Sequence, residues 1–395
     1  MCRGGSLQTC NSRAQMTLRL RASIYVFSIY RFTFRSLYTV FYAASLLAQL
    51  LIFIMTFYWA VQNRMNSTSY ASIFSAKCVF YTSNLVSSLA LGYIGWSWPQ
   101  FIAKVERIEV QLPPFSRDLP RICNAFMVLV LTASVVEHVF SWWYGLSAAY
   151  TCDPNKTLET FFRITIPQVF QYTDYALWKG VVIEFIIIQG IFLWNFNDLL
   201  VIVISVYFVE HFNTHNRLLK NASQMDNFLC SEFRIQYLKI VDLVNIFNSR
   251  FGIYILTSFS SNLYWICIQL FFFIKEGKLD RKACAAPRLY GLHTVYVEHG
   301  VYFAFSLSFL LVRTFLVLLM AAKIHSASIK PLSILFGVPS EKFDFEMTRY
   351  VAQVTNTKVA LSGLGFFYVT KTTILTLLRT LVTYELVLLQ FNKQV

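Results

Sequence analysis

Charge is scarce in this sequence. Asp, Glu, Lys and Arg make up 14% of its 395 residues, while 56% are hydrophobic and Phe alone occurs 38 times. A soluble chain of this size does not carry enough polar surface to cover so much apolar material. Proline is rare as well, with none between Pro167 and Pro287, so no proline breaks a helix there. Residues 1–36 contain no acidic residue, and the first 20 are polar and basic without an apolar core. No cleavable signal peptide is expected from such a start. Catalytic signatures are missing too: there is no Walker loop, no Gly-rich dinucleotide fingerprint and no Cys-x-x-Cys. Neither an enzyme nor a bound cofactor is expected. No internal repeat is visible, which weighs against a secondary transporter built from paired halves.

What is present is a series of apolar runs of roughly twenty residues, each able to cross about 30 Å of hydrocarbon as a helix. The expected fold is therefore an all-α polytopic membrane protein with seven transmembrane helices, in contact with lipid. The first three spans fall near 37–61, 71–96 and 122–146, with a basic linker at 97–121 and a loop at 147–176. The fourth starts near Leu177 and its helical pattern runs on to about Phe212. The fifth runs from about Ser231 to Ile274, roughly 66 Å as a helix and twice the hydrocarbon thickness. The sixth spans about 299–322. Helices four to seven thus extend into a cytoplasmic bundle, with bundle segments near 208–251 and 323–369.

Orientation follows from Lys and Arg. With a cytoplasmic N-terminus the inner segments hold 21 of them and the outer segments 10, the bias expected for that topology. The C-terminus is then extracellular, and the net charge of +14 reflects topology rather than nucleic-acid binding. The same orientation puts the sequons at Asn66 and Asn155 outside, where glycosylation requires them. It is opposite to that of a G-protein-coupled receptor, and neither Asp-Arg-Tyr after the third span nor Asn-Pro-x-x-Tyr in the seventh is present. Cys152 and Cys284 are the cysteines in outer loops. They either form a disulfide or remain two separate thiols.

Val-Glu-His occurs three times, ending at His138, His211 and His299. Adjacent residues diverge by about 100° on a helix, so none of these pairs makes the i, i+4 ligand set of a metal helix. The outer halves of the spans hold more suggestive chemistry. Glu137, His138, Trp142, Asp174, Trp178, Glu184, Asn262, Tyr264, Trp265, Glu298 and Tyr302 all fall within a few turns of the outer surface. Carboxylates and amides take sugar hydroxyls in paired hydrogen bonds, and aromatic rings stack on the apolar face of a pyranose. The competing reading is an interfacial aromatic belt with satisfied interhelical hydrogen bonds. Glu137 and Glu184 favour function, because an intramembrane carboxylate is costly unless paired or wetted. Arg313, in the middle of the sixth span, calls for an internal ion-pair partner.

The last stretch, Thr370 to Val395, combines length with polarity. Thr372, Thr376, Thr380, Thr383, Val387, Gln390 and Gln394 recur every three or four residues and so share one helical face. Threonine hydroxyls can bond back to the preceding turn, so the stripe either packs or lines water. Gln390 and Gln394 cannot hide in that way. One such helix cannot enclose a pore, but several copies around an axis can.

Thr383-Tyr384-Glu385-Leu386-Val387-Leu388-Leu389-Gln390-Phe391 resembles the C-terminal signature of insect gustatory receptors. Glu385 within it resembles the sugar-receptor branch, as do Trp194-Asn195-Phe196-Asn197-Asp198, Ser260-Ser261-Asn262-Leu263-Tyr264, Val338-Pro339-Ser340 and Val359-Ala360-Leu361-Ser362-Gly363. The similarity covers about residues 30–395; residues 1–25 fall outside it. The resemblance implies a sugar-gated, non-selective cation channel, homotetrameric or heterotetrameric with related receptors, in the plasma membrane of a chemosensory neuron. It implies a cytoplasmic segment at 1–36, sensor spans over about 37–322, and a pore helix at about 370–391. The cytoplasmic extensions anchor the tetramer. By position, Gln390 and Phe391 sit at the gate, and Thr383 and Val387 line the deeper pore.

Overall fold

The computed structural model describes residues 37–64, 70–115, 119–225, 228–276 and 297–393. In chain order its helices are α1 (Leu37–Arg64), α2 (Tyr70–Glu109), α3 (Leu119–Cys152), α4 (Thr157–Thr165), α5 (Pro167–Phe170), α6 (Leu177–Ala222), α7 (Cys230–Glu276), α8 (Val297–Ser328), α9 (Lys330–Leu335), α10 (Phe345–Asn356) and α11 (Lys371–Lys393). Among the described residues the only extended pairing is an isolated bridge between Ser362 and Tyr368. Five helices, α1, α3, α6, α7 and α8, are long and apolar enough to cross a membrane by length and composition. The other two expected spans, α2 and α11, are long helices of more polar composition.

The burial pattern divides these long helices into two zones. On α1, α3 and the first part of α6 large apolar side chains are exposed, among them Phe41, Leu51, Leu129, Val135, Val182 and Phe185. Farther along the chain the polarity of burial inverts. Val201, Ile202, Phe208, Phe212 and Leu219 of α6 pack with Tyr237, Ile240, Leu243 and Val244 of α7. Ile324 of α8 and Tyr350 of α10 complete this core. A helix that exposes apolar residues over one half and buries them over the other suits lipid first and water second.

Polar contacts fasten the second zone. His215 Nε2 lies 2.7 Å from the Tyr350 hydroxyl, and Asn216 Nδ2 donates to Ala327 O at 2.8 Å. Glu346 takes hydrogen bonds from Arg349 at 2.6 Å and from Arg234 of α7 at 3.0 Å, and these, the Arg349 bond first, hold its carboxyl below the usual range. Burial pushes His215 down to about 4, so it is neutral in this bundle.

Several connections differ from expectation. The basic linker expected from residue 97 is helical to Glu109, and Pro99 lies inside α2. Trp98, Phe101 and Val105 are buried there, with Phe101 edge-on to Phe247 and Phe251 at 5.1 and 5.7 Å. That aromatic packing offsets the roughly 3 kcal/mol cost of an interior proline. The loop expected at 147–176 folds into α4 and α5, because Phe161, Phe162, Ile166 and Phe170 bury themselves against Tyr81 and Ile183. Gly180 admits this cap: a Cβ there would stand 2.8 Å from the Phe162 ring. Helix α6 ends at Ala222 rather than near Phe212, since Leu219 still has core to enter.

The break expected at Gly363 and Gly365 is a tight turn. Val369 N donates to Leu361 O at 2.9 Å, and Gly363 N to Phe367 O at 3.2 Å. Leu364 and Gly365 take positive φ values of 52° and 81°, a conformation that glycine adopts without strain. Asn248 of α7 holds the turn from both sides. Its Nδ2 donates to Ala360 O at 2.9 Å and its Oδ1 accepts from Ser362 N at 3.0 Å. The direction of α11 is set by this attachment.

Candidate ligand site and pore helix

The outer polar residues converge from four helices. Trp142 Nε1 on α3 donates to Glu184 Oε1 on α6 at 2.8 Å. His138, one turn before Trp142, brings Nε2 within 3.4 Å of the same oxygen, and its ring lies 5.5 Å from that of Trp142. On the next face of α3, Glu137 Oε1 accepts a hydrogen bond from Ser306 of α8. Gln269 Nε2 of α7 donates to the same Ser306 hydroxyl at 3.1 Å. Tyr302 of α8 stacks on Tyr144 of α3 at 5.9 Å, with ring planes 11° apart. Glu298 accepts from Ser147 at 3.5 Å.

Two shielded atoms on this part of α7 have no partner. The Trp265 indole N–H and Gln269 Oε1 are both buried without a hydrogen bond among the described residues. The two side chains are four residues apart on α7 and so share a face. One offers a donor and the other an acceptor, the pair that a hydroxyl group can satisfy at once. Such groups cost free energy when left unmet in a folded protein. Gln269 and Ser306 were not singled out from the sequence as ligand residues; the four-residue spacing of Gln269 from Trp265 is the signal that marks it.

Other expected residues are placed elsewhere. Trp178 is 66% exposed on the first turn of α6. Asp174 is an exposed residue of the preceding turn, and its main-chain carbonyl accepts from Lys179 Nζ at 3.0 Å. Neither joins the cluster. Tyr264 packs its ring on Trp265 at 5.7 Å. Asn155 is exposed on the outer connection. Asn66 and Cys284 lie outside the described residues.

Asn262 belongs to a different assembly, deeper in the bundle. Arg313 of α8 is buried and pairs with Asp198 of α6 at 2.9 Å. The guanidinium also donates to Asn195 Oδ1 and, at 3.2 Å, to Asn262 Oδ1. Its central carbon lies over Trp194, 4.2 Å from the ring centroid. Asp198 accepts further hydrogen bonds from Ser258 and from Asn262 Nδ2, the latter at 3.0 Å. Trp194, Asn195 and Asp198 are thus three walls of one arginine clamp that ties α6, α7 and α8 together.

The clamp adjoins α11. Ser258 and Asn262 also line a small apolar cleft with Val317, Leu318, Leu377 and Leu381. Ile374, Leu377 and Leu378 form the face of α11 that packs on Phe259, Leu318 and Ala322. At 100° per residue the stripe of Thr372, Thr376, Thr380, Thr383 and Gln390 lies half a turn away, and all five are exposed. Thr376, Thr380 and Thr383 each donate to the carbonyl four residues earlier, at 3.1, 3.0 and 2.9 Å. That leaves hydroxyl oxygen lone pairs facing outward. The side chains of Val387 and Phe391 lie outside the described residues, although both positions are helical.

A sequence profile described as "Trehalose receptor" matches residues 25–395. The chain is 30% identical over 373 residues to the Drosophila melanogaster gustatory receptor for sugar taste 64f, covering 92% of this chain and 74% of that one. It is 29% identical over 331 residues to gustatory receptor 5a for trehalose of the same organism, covering 80% and 69%. Its fold is similar to that of olfactory receptor OR5 from the insect Machilis hrabei, with a TM-score of 0.64, 13% identity, and coverage of 98% and 99%. The eugenol complex of that receptor is similar with a TM-score of 0.60.

Proposed function

The chain belongs to the trehalose receptor family, the sugar branch of the insect gustatory receptors, and on that premise we propose that it is one subunit of a sugar-gated, non-selective cation channel in the plasma membrane of a chemosensory neuron. The observation that carries the channel reading is α11. Among the described residues its hydroxyl stripe is exposed half a turn from the face that packs on α7 and α8. A transmembrane helix with such a face needs water or neighbouring subunits beside it. Four copies around an axis provide both.

In this reading α1, α2, α3, α6, α7, α8 and α11 are the seven spans, the N-terminus is cytoplasmic and the C-terminus extracellular. The core shared by the inner halves of α6 and α7 with α10 is the anchor that gathers four subunits. Gln390 and Phe391 form the gate, and Thr383 and Val387 line the pore behind it. Orientation is tested by glycosylation: wild-type receptor shifts on glycosidase treatment, and Asn155→Gln together with Asn66→Gln removes the shift. Modification at neither site contradicts the outside placement of these loops.

The sugar sits against Glu137, His138, Trp142, Glu184, Trp265, Gln269 and Tyr302, with Tyr264 behind. Its hydroxyls meet the unpaired Trp265 N–H and Gln269 Oε1. Closure around it shifts α7 and α8, and α11 follows through Phe259 and Leu318. The ligand favours the open state by its extra affinity for that state. Trp265→Phe, which removes the donor and keeps an aromatic ring, though a smaller one, should raise the half-maximal sugar concentration about tenfold. Trp178→Ala, on an exposed face, should leave it unchanged. Equal effects of the two substitutions on dose–response curves would remove Trp265 from the site.

A further inference from the structure

A second cleft, of about 930 Å3, opens at the far end of the helix extensions between the last turns of α6 and the α9 segment. Arg217 and Lys220 reach it from α6 and Lys330 from α9, with no acidic residue among its described lining. None of the three cations has an ion-pair partner among the described residues. Lys220 lies in the last turn of α6, where the helix dipole accounts for one cation. It does not account for Arg217 or for Lys330 across the gap. The rest of the lining is amide and hydroxyl: Asn213, Asn216 and Ser333 among others. Asn216 is 93% buried by its 7% exposure, and its Oδ1 has no partner. Three unpaired cations around one concavity repel each other and raise the local concentration of anions.

We infer that this cleft is a binding site for a soluble polyphosphate, of the inositol polyphosphate or nucleoside triphosphate class. Arg and Lys bind phosphate oxygens through charge-assisted hydrogen bonds, and the polar lining takes hydroxyls or remaining phosphates. The volume exceeds what a single inorganic phosphate fills. Distance separates a soluble ligand from a lipid headgroup. Arg217 lies 40 residues into α6 from Leu177, about 60 Å along a helix axis and twice the hydrocarbon thickness. The cleft therefore stands well below the headgroups of a bilayer entered at Leu177. A bound polyanion bridges α6 to the Gly337-Val338-Pro339 corner, and so braces the anchor from the cytosol.

The cytoplasmic placement rests on the orientation proposed above. Binding is read in detergent without sugar or current, so the two fail separately. Purified full-length receptor is titrated with inositol hexakisphosphate and with ATP at constant ionic strength, following melting temperature and affinity. At least one should raise the melting temperature, while sulfate at the same ionic strength does not. Lys330→Gln should weaken affinity at least about tenfold, the equivalent of one charge-assisted hydrogen bond. Arg217→Gln, Lys220→Gln and Lys330→Gln combined should abolish the shift. These side chains are exposed, so the ligand-free melting temperature should hold or rise as repulsion is relieved. No shift in the wild type, or equal shifts in wild type and Lys330→Gln, overturns the site. Cleft-dependent binding to vesicles containing phosphatidylinositol bisphosphate, without binding of the soluble polyphosphates, overturns the assignment to a soluble ligand.

Discussion

Arg313→Ala should leave little receptor at the cell surface. The guanidinium is buried against an equally buried Asp198, and its removal strands that carboxylate together with Asn195 Oδ1 and one of the contacts of Asn262. Breaking a buried ion pair costs roughly 3–5 kcal/mol, against a total stability of about 5–15 kcal/mol for a typical domain. Arg313→Lys should recover little. An ammonium cannot fork between Asp198 and Asn195 while keeping a planar cation over Trp194. The double substitution Arg313→Met with Asp198→Leu should recover a substantial part, because a neutral pair of similar volume removes the unpaired charge. Surface labelling and detergent melting curves report both effects. A double variant no better than Arg313→Ala would mean that the clamp acts through its hydrogen bonds rather than its charge pair.

Phe391→Ala should raise the basal current about tenfold. In the proposed tetramer four Phe391 rings close the outer end of the pore, and a closed-state preference lost by about 1.4 kcal/mol shifts the open population tenfold. Gln390→Ala should act on the current per channel as well, since it strips the amide ring beside the gate. Thr380→Val, on the same stripe but behind the gate, replaces a hydroxyl whose hydrogen already bonds to Thr376 O. It should lower conductance and spare sugar sensitivity. Patch recordings at matched surface expression separate these outcomes. Basal and sugar-evoked currents unaltered by both Phe391→Ala and Gln390→Ala would remove the gate from this end of α11.

The long helices were legible because their causes are local. Apolar runs of the right length and a proline-free stretch from Pro167 to Pro287 specify α6 and α7 within ten residues at each end. The overrun of α7 was legible for the same reason, since 47 helical residues exceed any bilayer. The linker expected from residue 97 is helical past Pro99, because the proline rule is local while the packing of Phe101 on Phe247 and Phe251 is not. The 147–176 connection departs likewise: its Phe residues fold back on α2 and α6, partners that no window of sequence contains.

The candidate site divides in the same way. Glu137, His138, Trp142 and Glu184 were legible from depth and polarity, and three of them meet in space. Asn262 reads from the sequence as equal in depth and chemistry, yet it lies deeper in the bundle and serves Arg313. Arg313 announced a missing counter-ion, but Asp198 stands 115 positions away and only tertiary packing names it. Gln269 reads as ordinary interhelical glue to Ser306 until its unmet Oε1 is seen on the same face of α7 as the unmet Trp265 N–H.

Copies of this chain should themselves bind a sugar and open a cation path. The direct measurement is planar-bilayer or patch recording of purified receptor, reconstituted without other proteins, against a panel of mono- and disaccharides. The account predicts that at least one sugar evokes discrete cation currents, and that these persist without guanine nucleotides or a G protein. Sugar binding without any current, or sugar flux without channel openings, would contradict it.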